Sequence, residues 1–234
     1  MIVAIEERAK QARDKAFYDA SVLMQTYGWD QKTDVRISTI GKLIRLLVAL
    51  QLSLASLRRL QDASDEEWAS LFLPAGENRN RLPYLLVLEL VTKTGFIASL
   101  FSAMESSLRL LLRAIDPTSY FKYQLRTRRL IQVLLLEKLS RAYESEFESV
   151  DFLRTLRNTL HSNGVFHPTD GNPATFAFRG SSYSFQPEQR VNFASWQLTL
   201  DLADEMRQIS FRLARDPIVA SKPGTLADPW STEI

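Results

Sequence analysis

Apolar residues recur every three or four positions along most of this chain, in stretches free of glycine and proline, and that is the periodicity of helices packed on one side. Ile5, Ala9, Ala12, Ala16, Ala20 and Leu23 form one such row on a first helix, Ile2 to Tyr27, which Gly28 stops. A second helix is predicted from about Ser38 to Gln61. Leucine on several of its sides puts it in the middle of a bundle. Ser64 and Glu67 have the spacing of a capping box and open a short helix through Leu71. Pro74 to Pro83, with Gly76, Asn78 and Asn80, reads as a surface loop. A long third helix follows from about Tyr84 to Ile115, where Asp116-Pro117 ends it; Gly95 within it marks a close helix contact or a kink. Residues 128–143 are amphipathic again, crowded with Leu130, Val133, Leu134 and Leu136. Asp151 is positioned to cap the next helix, which runs to about Ser162 and is closed by Asn163-Gly164.

Beyond that point the period changes from three or four to two. Phe176 and Phe178, then Tyr183 and Phe185, alternate with small or polar residues around Gly180-Ser181-Ser182, the pattern of a β-hairpin at about 174–187. Asn192 or Ser195 starts a last helix through Ala214, ended by Asp216-Pro217. The predicted fold is all-α: an up-and-down helical bundle with one β-hairpin inserted near the C-terminal helix. Residues 1–216 form a single domain, with the N-terminal helix, 1–28, as a candidate peripheral element. Residues 217–234 make a tail that is loose or docked on a partner, where Trp230 beside Pro229 suits a groove on a neighbour.

Composition narrows the chemistry. Among 234 residues there is no cysteine, which excludes disulfides, thiolate metal sites and cysteine nucleophiles. Two histidines are too few for a multi-histidine zinc site, and the formal net charge of +2 is too small to announce a nucleic-acid binder by itself. No cofactor or metal is implied. The first fifteen residues turn charged at Glu6 and lack the apolar core of a secretory signal. The longest uncharged apolar stretch, Leu46 to Leu57, has 12 residues against the ~20 of a spanning helix, so the expectation is a cytoplasmic protein without a membrane partner. Phosphate-binding glycine loops, HExxH, EF-hand and GxSxG patterns are absent.

One segment carries a candidate chemistry: Asp151-Phe-Leu-Arg-Thr-Leu-Arg-Asn-Thr-Leu-His-Ser-Asn-Gly164. On a helix, Phe152, Leu153, Leu156 and Leu160 share one side. Arg154, Asn158 and His161 fall within roughly 60° of one another on the opposite side, with Arg157 at their edge. An imidazole moves protons near neutral pH, guanidinium forks match phosphate oxygens, and an amide orients either. That set suits RNA phosphodiester cleavage by the RNA's own 2′-hydroxyl, with no metal. One helix supplies one such histidine, and a two-fold dimer would supply a pair. A solvated helix face has the same composition.

Arg157-Asn158-Thr-Leu-His161-Ser-Asn163-Gly164 resembles the signature helix of HEPN proteins (higher eukaryotes and prokaryotes nucleotide-binding). The resemblance implies an up-and-down bundle, a homodimer and, in many members, a metal-independent endoribonuclease of toxin–antitoxin, phage-defence or RNA-processing systems that leaves cyclic phosphate ends. It assigns His161 to the histidine place, Asn158 to the polar place and Arg157 to the arginine place. Three residues separate Arg157 from His161, one fewer than the usual range of four to six. Six residues separate Arg154 from His161, inside that range, but Arg154 is not followed by asparagine. The resemblance extends over about residues 38–214, and Glu105-Ser-Ser-Leu-Arg109 looks like the acid-and-arginine pair of an inner helix in such bundles. The implied partners are a second copy, an RNA substrate and an antitoxin or regulatory protein. The competing reading is a non-catalytic binding module for a protein or nucleotide.

Three further groups complete the candidates. His167 lies in the loop before Pro168 and is a second proton-transfer group or simply exposed. Lys122, Arg126, Arg128 and Arg129, interleaved with Tyr120, Phe121 and Tyr123, have the composition of an RNA-contacting surface or of an ordinary helix entry. Phe176, Phe178 and Phe185 are expected to pack on the bundle. No tyrosine closely follows His161, so an acceptor for nucleotidylation is not evident there.

Overall fold

A computed structural model describes residues 2–64, 67 and 82–227. The short helix through Leu71, most of the 74–83 loop and Trp230 lie outside the described residues. Of the predicted capping box, the amide of Glu67 donates to Ser64 Oγ at 3.2 Å.

The elements are α1 (Ile2–Tyr27), α2 (Val35–Asp62), α3 (Leu82–Ile115), α4 (Pro117–Tyr123), α5 (Thr127–Val133), a π-helical turn (Leu134–Lys138), α6 (Glu144–His161), β1 (Ala174–Phe178), β2 (Ser181–Phe185), α7 (Trp196–Ala214) and α8 (Pro217–Ala220). They form an up-and-down helical bundle with one small antiparallel hairpin inserted before the C-terminal helix α7. Four starts are written in capping chemistry, one of them Asp216, which accepts from the amide of Ile218 at 2.9 Å. Asp34 accepts from the amide of Arg36 at 3.0 Å, Ser195 from Leu198 at 3.2 Å and Asp116 from Ser119 at 3.0 Å. The two Asp-Pro pairs were expected only as stops. Each instead begins a short helix, with aspartate as cap and proline in the first turn, where its missing amide is no loss.

Two boundaries differ more. The helix expected over 128–143 is α5 followed by a π turn, and the chain is extended at Leu139. Helix α6 then starts at Glu144, so Asp151 is buried mid-helix and caps nothing. The cause is long-range. The amide and hydroxyl of Ser140 and the hydroxyl of Tyr143 all donate to Asp216, which is buried and also caps α8. Three donors on one carboxylate fix the turn between the π segment and α6.

The main core joins α2, α3, α5, α6 and α7, and the hairpin packs into it. A smaller cluster sets Ala16, Ala20 and Leu23 of α1 against Ile37, Ile40 and Ile44 of α2 and Ala214 of α7. Alanines let α1 approach closely, and it is a full member of the bundle rather than a peripheral element. The tail from Pro217 to Ala227 docks on this chain itself. Arg36, buried and paired through Nε with Asp34 at 2.9 Å, donates to the carbonyl oxygens of Lys222 and Gly224, and the amide of Val35 donates to Leu226 O at 2.8 Å. Both α2 and α3 are long and apolar enough to cross a membrane by length and composition. Their burial differs: α2 buries most of its apolar residues, whereas the first part of α3 leaves Leu86 to Val91 largely open.

Candidate functional site

Helix α6 carries the site because it is amphipathic in two senses. Phe152, Leu153 and Leu156 enter the core, and Glu144 and Glu146 occupy its first turn, where the helix dipole favours negative charge. It ends at His161 because Asn163 and Gly164 both take left-handed backbone, φ 55° and 81°, and the amide of Gly164 returns to Thr159 O at 2.9 Å. The chain then turns back into a loop of residues 165–173 and the hairpin.

The hairpin packs around a ring of α6, and its turn residue Arg179 also pairs with Asp201 and Asp204 of α7. Ala174 pairs with Phe185 and Phe176 with Tyr183, and Arg179-Gly180, both at positive φ, make the two-residue turn. Phe176, Phe178, Tyr183 and Phe185 thereby share one face and surround Phe152 of α6, with centroids 5.0–6.1 Å away. The hairpin phenylalanines do pack on the bundle. Phe176 also reaches the rim of a cleft.

That cleft, about 530 Å³, lies between α6, the 166–173 loop and the start of β1, with Arg128 of α5 at its edge. Asp151, Arg154, Thr155, Asn158 and Ser162 line it from α6, and His167 and Asp170 from the loop. Its centre of charge is Asp151, whose buried carboxylate accepts from Arg154 Nε at 2.6 Å and Arg128 Nε at 3.0 Å. One acid thus fixes two guanidinium groups by their inner nitrogens. Both residues line the cleft, and Arg154 Nη2 makes a long contact with Thr155 Oγ1, 3.4 Å. Opposite them His167 Nδ1 meets Glu188 Oε1 at 2.9 Å. A carboxylate accepts only, so in this pairing Nδ1 is the donor. Glu188 sits at φ 59°, pinned by its amide to Phe166 O, while Phe166 donates to Gln189 O. Asp170 is held below the ordinary carboxylate range by the backbone amide of Asn172, then by that residue's side chain. It is the acid at the mouth.

The motif residues do not all converge. Arg154 and Asn158 line the cleft, and His161 and Arg157 do not. At about 100° per residue the cleft side of α6 centres between Asn158 and Ser162, roughly 80° from His161. His161 is exposed and makes no hydrogen bond or ion pair among the described residues. Arg157 donates to Asn158 Oδ1 at 3.0 Å, lies over the Phe101 ring of α3 at 5.9 Å, and buries its Nε without a partner among the described residues.

The basic cluster divides as well. Arg128 joins the cleft. Arg129 pairs with Glu137 at 3.0 Å, and both Arg129 and Lys122 stand over Tyr123. Arg126 is exposed. The Glu105–Arg109 pair is a brace. Arg109 donates to Glu105 at 2.6 Å, to Gln124 O and to Thr127 Oγ1 at 2.7 Å, and Thr127 in turn donates to Glu105 at 2.8 Å. It fixes the α4–α5 turn and so the start of the helix that delivers Arg128. Sequence reasoning missed Asp151 as the anchor of the cleft, although its i,i+3 spacing to Arg154 is a readable signal. It also missed Ser162, Asp170 and Glu188, for which no local signal exists.

No family model, no curated protein and no solved structure matches this chain.

Proposed function

We propose that the chain binds an RNA phosphodiester in the cleft beside α6 and cleaves it without a metal. The observation that carries this reading is the pairing of two carboxylate-fixed guanidinium groups on one wall with a glutamate-fixed imidazole on the other. Arg154 and Arg128 take phosphate oxygens, and Asn158 offers its amide alongside. The neighbouring 2′-hydroxyl oxygen bonds to phosphorus as its proton passes to an imidazole. The bond from phosphorus to the 5′ oxygen breaks, and that oxygen leaves with a proton. The products are a 2′,3′-cyclic phosphate and a 5′-hydroxyl. The likeness to HEPN proteins assigns the proton transfer to His161 with Arg157, and the cleft assigns it to His167. It also suggests the setting of a defence, toxin–antitoxin or RNA-processing system.

The test is cleavage of a labelled single-stranded RNA in EDTA, read for cyclic phosphate ends. Arg154→Ala is expected to slow it by about 10²–10³-fold, the scale of losing one charge-stabilising donor. His161→Ala and His167→Ala report which imidazole moves the proton. RNA that stays intact after long incubation at high protein concentration refutes the catalytic reading for that substrate. A second reading, a non-catalytic binding module, is favoured by one observation: His161 and Arg157 lie outside the cleft that holds Arg154. It expects RNA or a nucleotide to bind with affinity unchanged in both histidine variants and no cleavage in any.

A further inference from the structure

We infer that the corner between α4 and α5 is a track for single-stranded RNA that leaves the cleft at Arg128. The inference rests on the reading of the cleft as an RNA site and adds a surface outside it. Between Arg113 and Arg129 the chain holds five cations, Arg113, Lys122, Arg126, Arg128 and Arg129, and one acid, Asp116. That segment is therefore net +4, against +2 for the whole protein, and the rest of the chain is net negative. The π turn adds one charge of each sign: Glu137 pairs with Arg129 at 3.0 Å and Lys138 with Asp116 at 2.8 Å. Three cations keep no acid partner among the described residues. Arg113 stands over the Tyr120 ring at 5.9 Å and Lys122 over the Tyr123 ring at 5.2 Å. Arg126 is exposed and makes no hydrogen bond, ion pair or ring contact among the described residues.

The apolar side chains of the corner say which polyanion it suits. Helix α4 buries none of its residues. Phe121 is 58% exposed, and Leu125, at 93%, is the most exposed large apolar side chain among the described residues. Helical backbone continues through Gln124, so Phe121, Lys122 and Leu125 lie about one turn apart at the free end of α4. The corner is braced. Arg109 of α3 donates to Gln124 O and Thr127 Oγ1, and the amide of Arg126 donates to Tyr123 O at 2.8 Å. Free cations beside an exposed ring are what the phosphates and unstacked bases of a single strand meet, whereas a duplex hides its base faces. An anionic lipid surface offers the same charge. A helix that anchors there needs a long apolar face, and the seven residues of α4 supply one exposed phenylalanine. Continuity decides for RNA: Arg126 and Arg128 are two residues apart, so their Cα atoms lie within ~7 Å, and Arg128 already lines the cleft with its Nε held by Asp151.

Fluorescence anisotropy with a labelled single-stranded 2′-O-methyl RNA of about ten nucleotides tests the track, because the blocked 2′ oxygen keeps the probe intact. A Kd of ~1–100 µM is expected at low salt. Lys122→Gln/Arg126→Gln is expected to weaken binding and to reduce the slope of log affinity against log salt by about 1.4, as for two lost phosphate contacts. Phe121→Ala is expected to weaken binding ~10-fold with the slope unchanged. The same charge removal at Lys10 and Lys15, both exposed on α1, should change neither quantity. A probe that does not bind, or a double variant with the parent's affinity and slope, overturns the track. So does flotation with phosphatidylserine vesicles that Phe121→Ala abolishes and the RNA does not compete away. Cleavage is read separately on a ribodinucleotide, too short to leave the cleft. Equal product from the parent and the double variant upholds the track as a surface outside the chemistry. A dinucleotide left intact by both refutes cleavage, and the affinity of the longer probe still decides the track.

Discussion

Replacing Phe152 by alanine removes the α6 side chain around which the four hairpin rings pack. The ring is buried, and four rings of β1 and β2 stand within 6.1 Å of it. An aromatic residue buries about 150–250 Å², which at ~25 cal/mol per Å² is a gross term of roughly 4–6 kcal/mol. Partial collapse of the cavity brings the expected loss to ~3–5 kcal/mol, as for other buried phenylalanines. For a chain of this length each kcal/mol moves the midpoint by ~2–4 °C, so thermal unfolding should shift down by about 6–20 °C. The loss should also be uneven. A two-stranded hairpin is marginal alone, so hydrogen exchange at residues 174–185 should accelerate more than in α1 or α2. Phe152→Leu, which keeps most of the volume, should recover most of both effects. A midpoint change below ~3 °C, or hairpin amides that exchange no faster than those of the bundle, would refute the claim that this ring holds the cleft wall in place.

Arg36→Met should cost about 3–5 kcal/mol in urea unfolding, because it leaves the buried Asp34 carboxylate and two tail carbonyls without their donor; a loss under ~1 kcal/mol would contradict the tail's anchoring. Burial pushes the Asp204 carboxyl up, but hydrogen bonds from Arg179 and Arg207 outweigh it and hold the group below its ordinary range. A depressed carboxylate contributes stability that is present above the unfolded value near pH ~4 and is lost as pH falls through the folded one. The stability gap between the parent and Asp204→Asn, about 1 kcal/mol at neutral pH, should therefore close as the pH falls below ~4. A gap that is constant across that window rules this linkage out. RNA cleavage by the arginine and histidine variants completes the set of measurements.

The all-helical class, the hairpin and most helix ends were legible because they rest on local signals. Apolar rows at steps of three or four, the serine cap at Ser195 and Asn163-Gly164 are written within a few residues of the feature they make. What escaped was set by distant partners. The start of α6 depends on Asp216, whose donors Ser140 and Tyr143 lie more than seventy positions earlier. The docking of the tail depends on Arg36, and no pattern in residues 217–227 announces a buried guanidinium at the other end of the chain. The candidate site shows the same division. A helical projection placed Arg154, Asn158 and His161 on one face. It does not say which side of that face the loop and hairpin will wall in, and the wall rises on the side of Asn158 and Ser162.

The near-balance of charge takes on a different meaning at the cleft. A strongly basic surface attracts any polyanion through its field. Here the cations are tethered instead: Arg128 and Arg154 to Asp151, Arg109 to Glu105, Arg129 to Glu137, Lys138 to Asp116. A guanidinium gripped at Nε loses part of its charge effect but also part of its rotamer freedom, and its outer nitrogens are presented in a fixed fork. Ordering an arginine side chain at an interface costs ~0.5–1.5 kcal/mol, which a tethered side chain has already spent in folding. Under the proposed RNA reading, recognition rests on the geometry of a few donors, and for that an overall charge of +2 is enough.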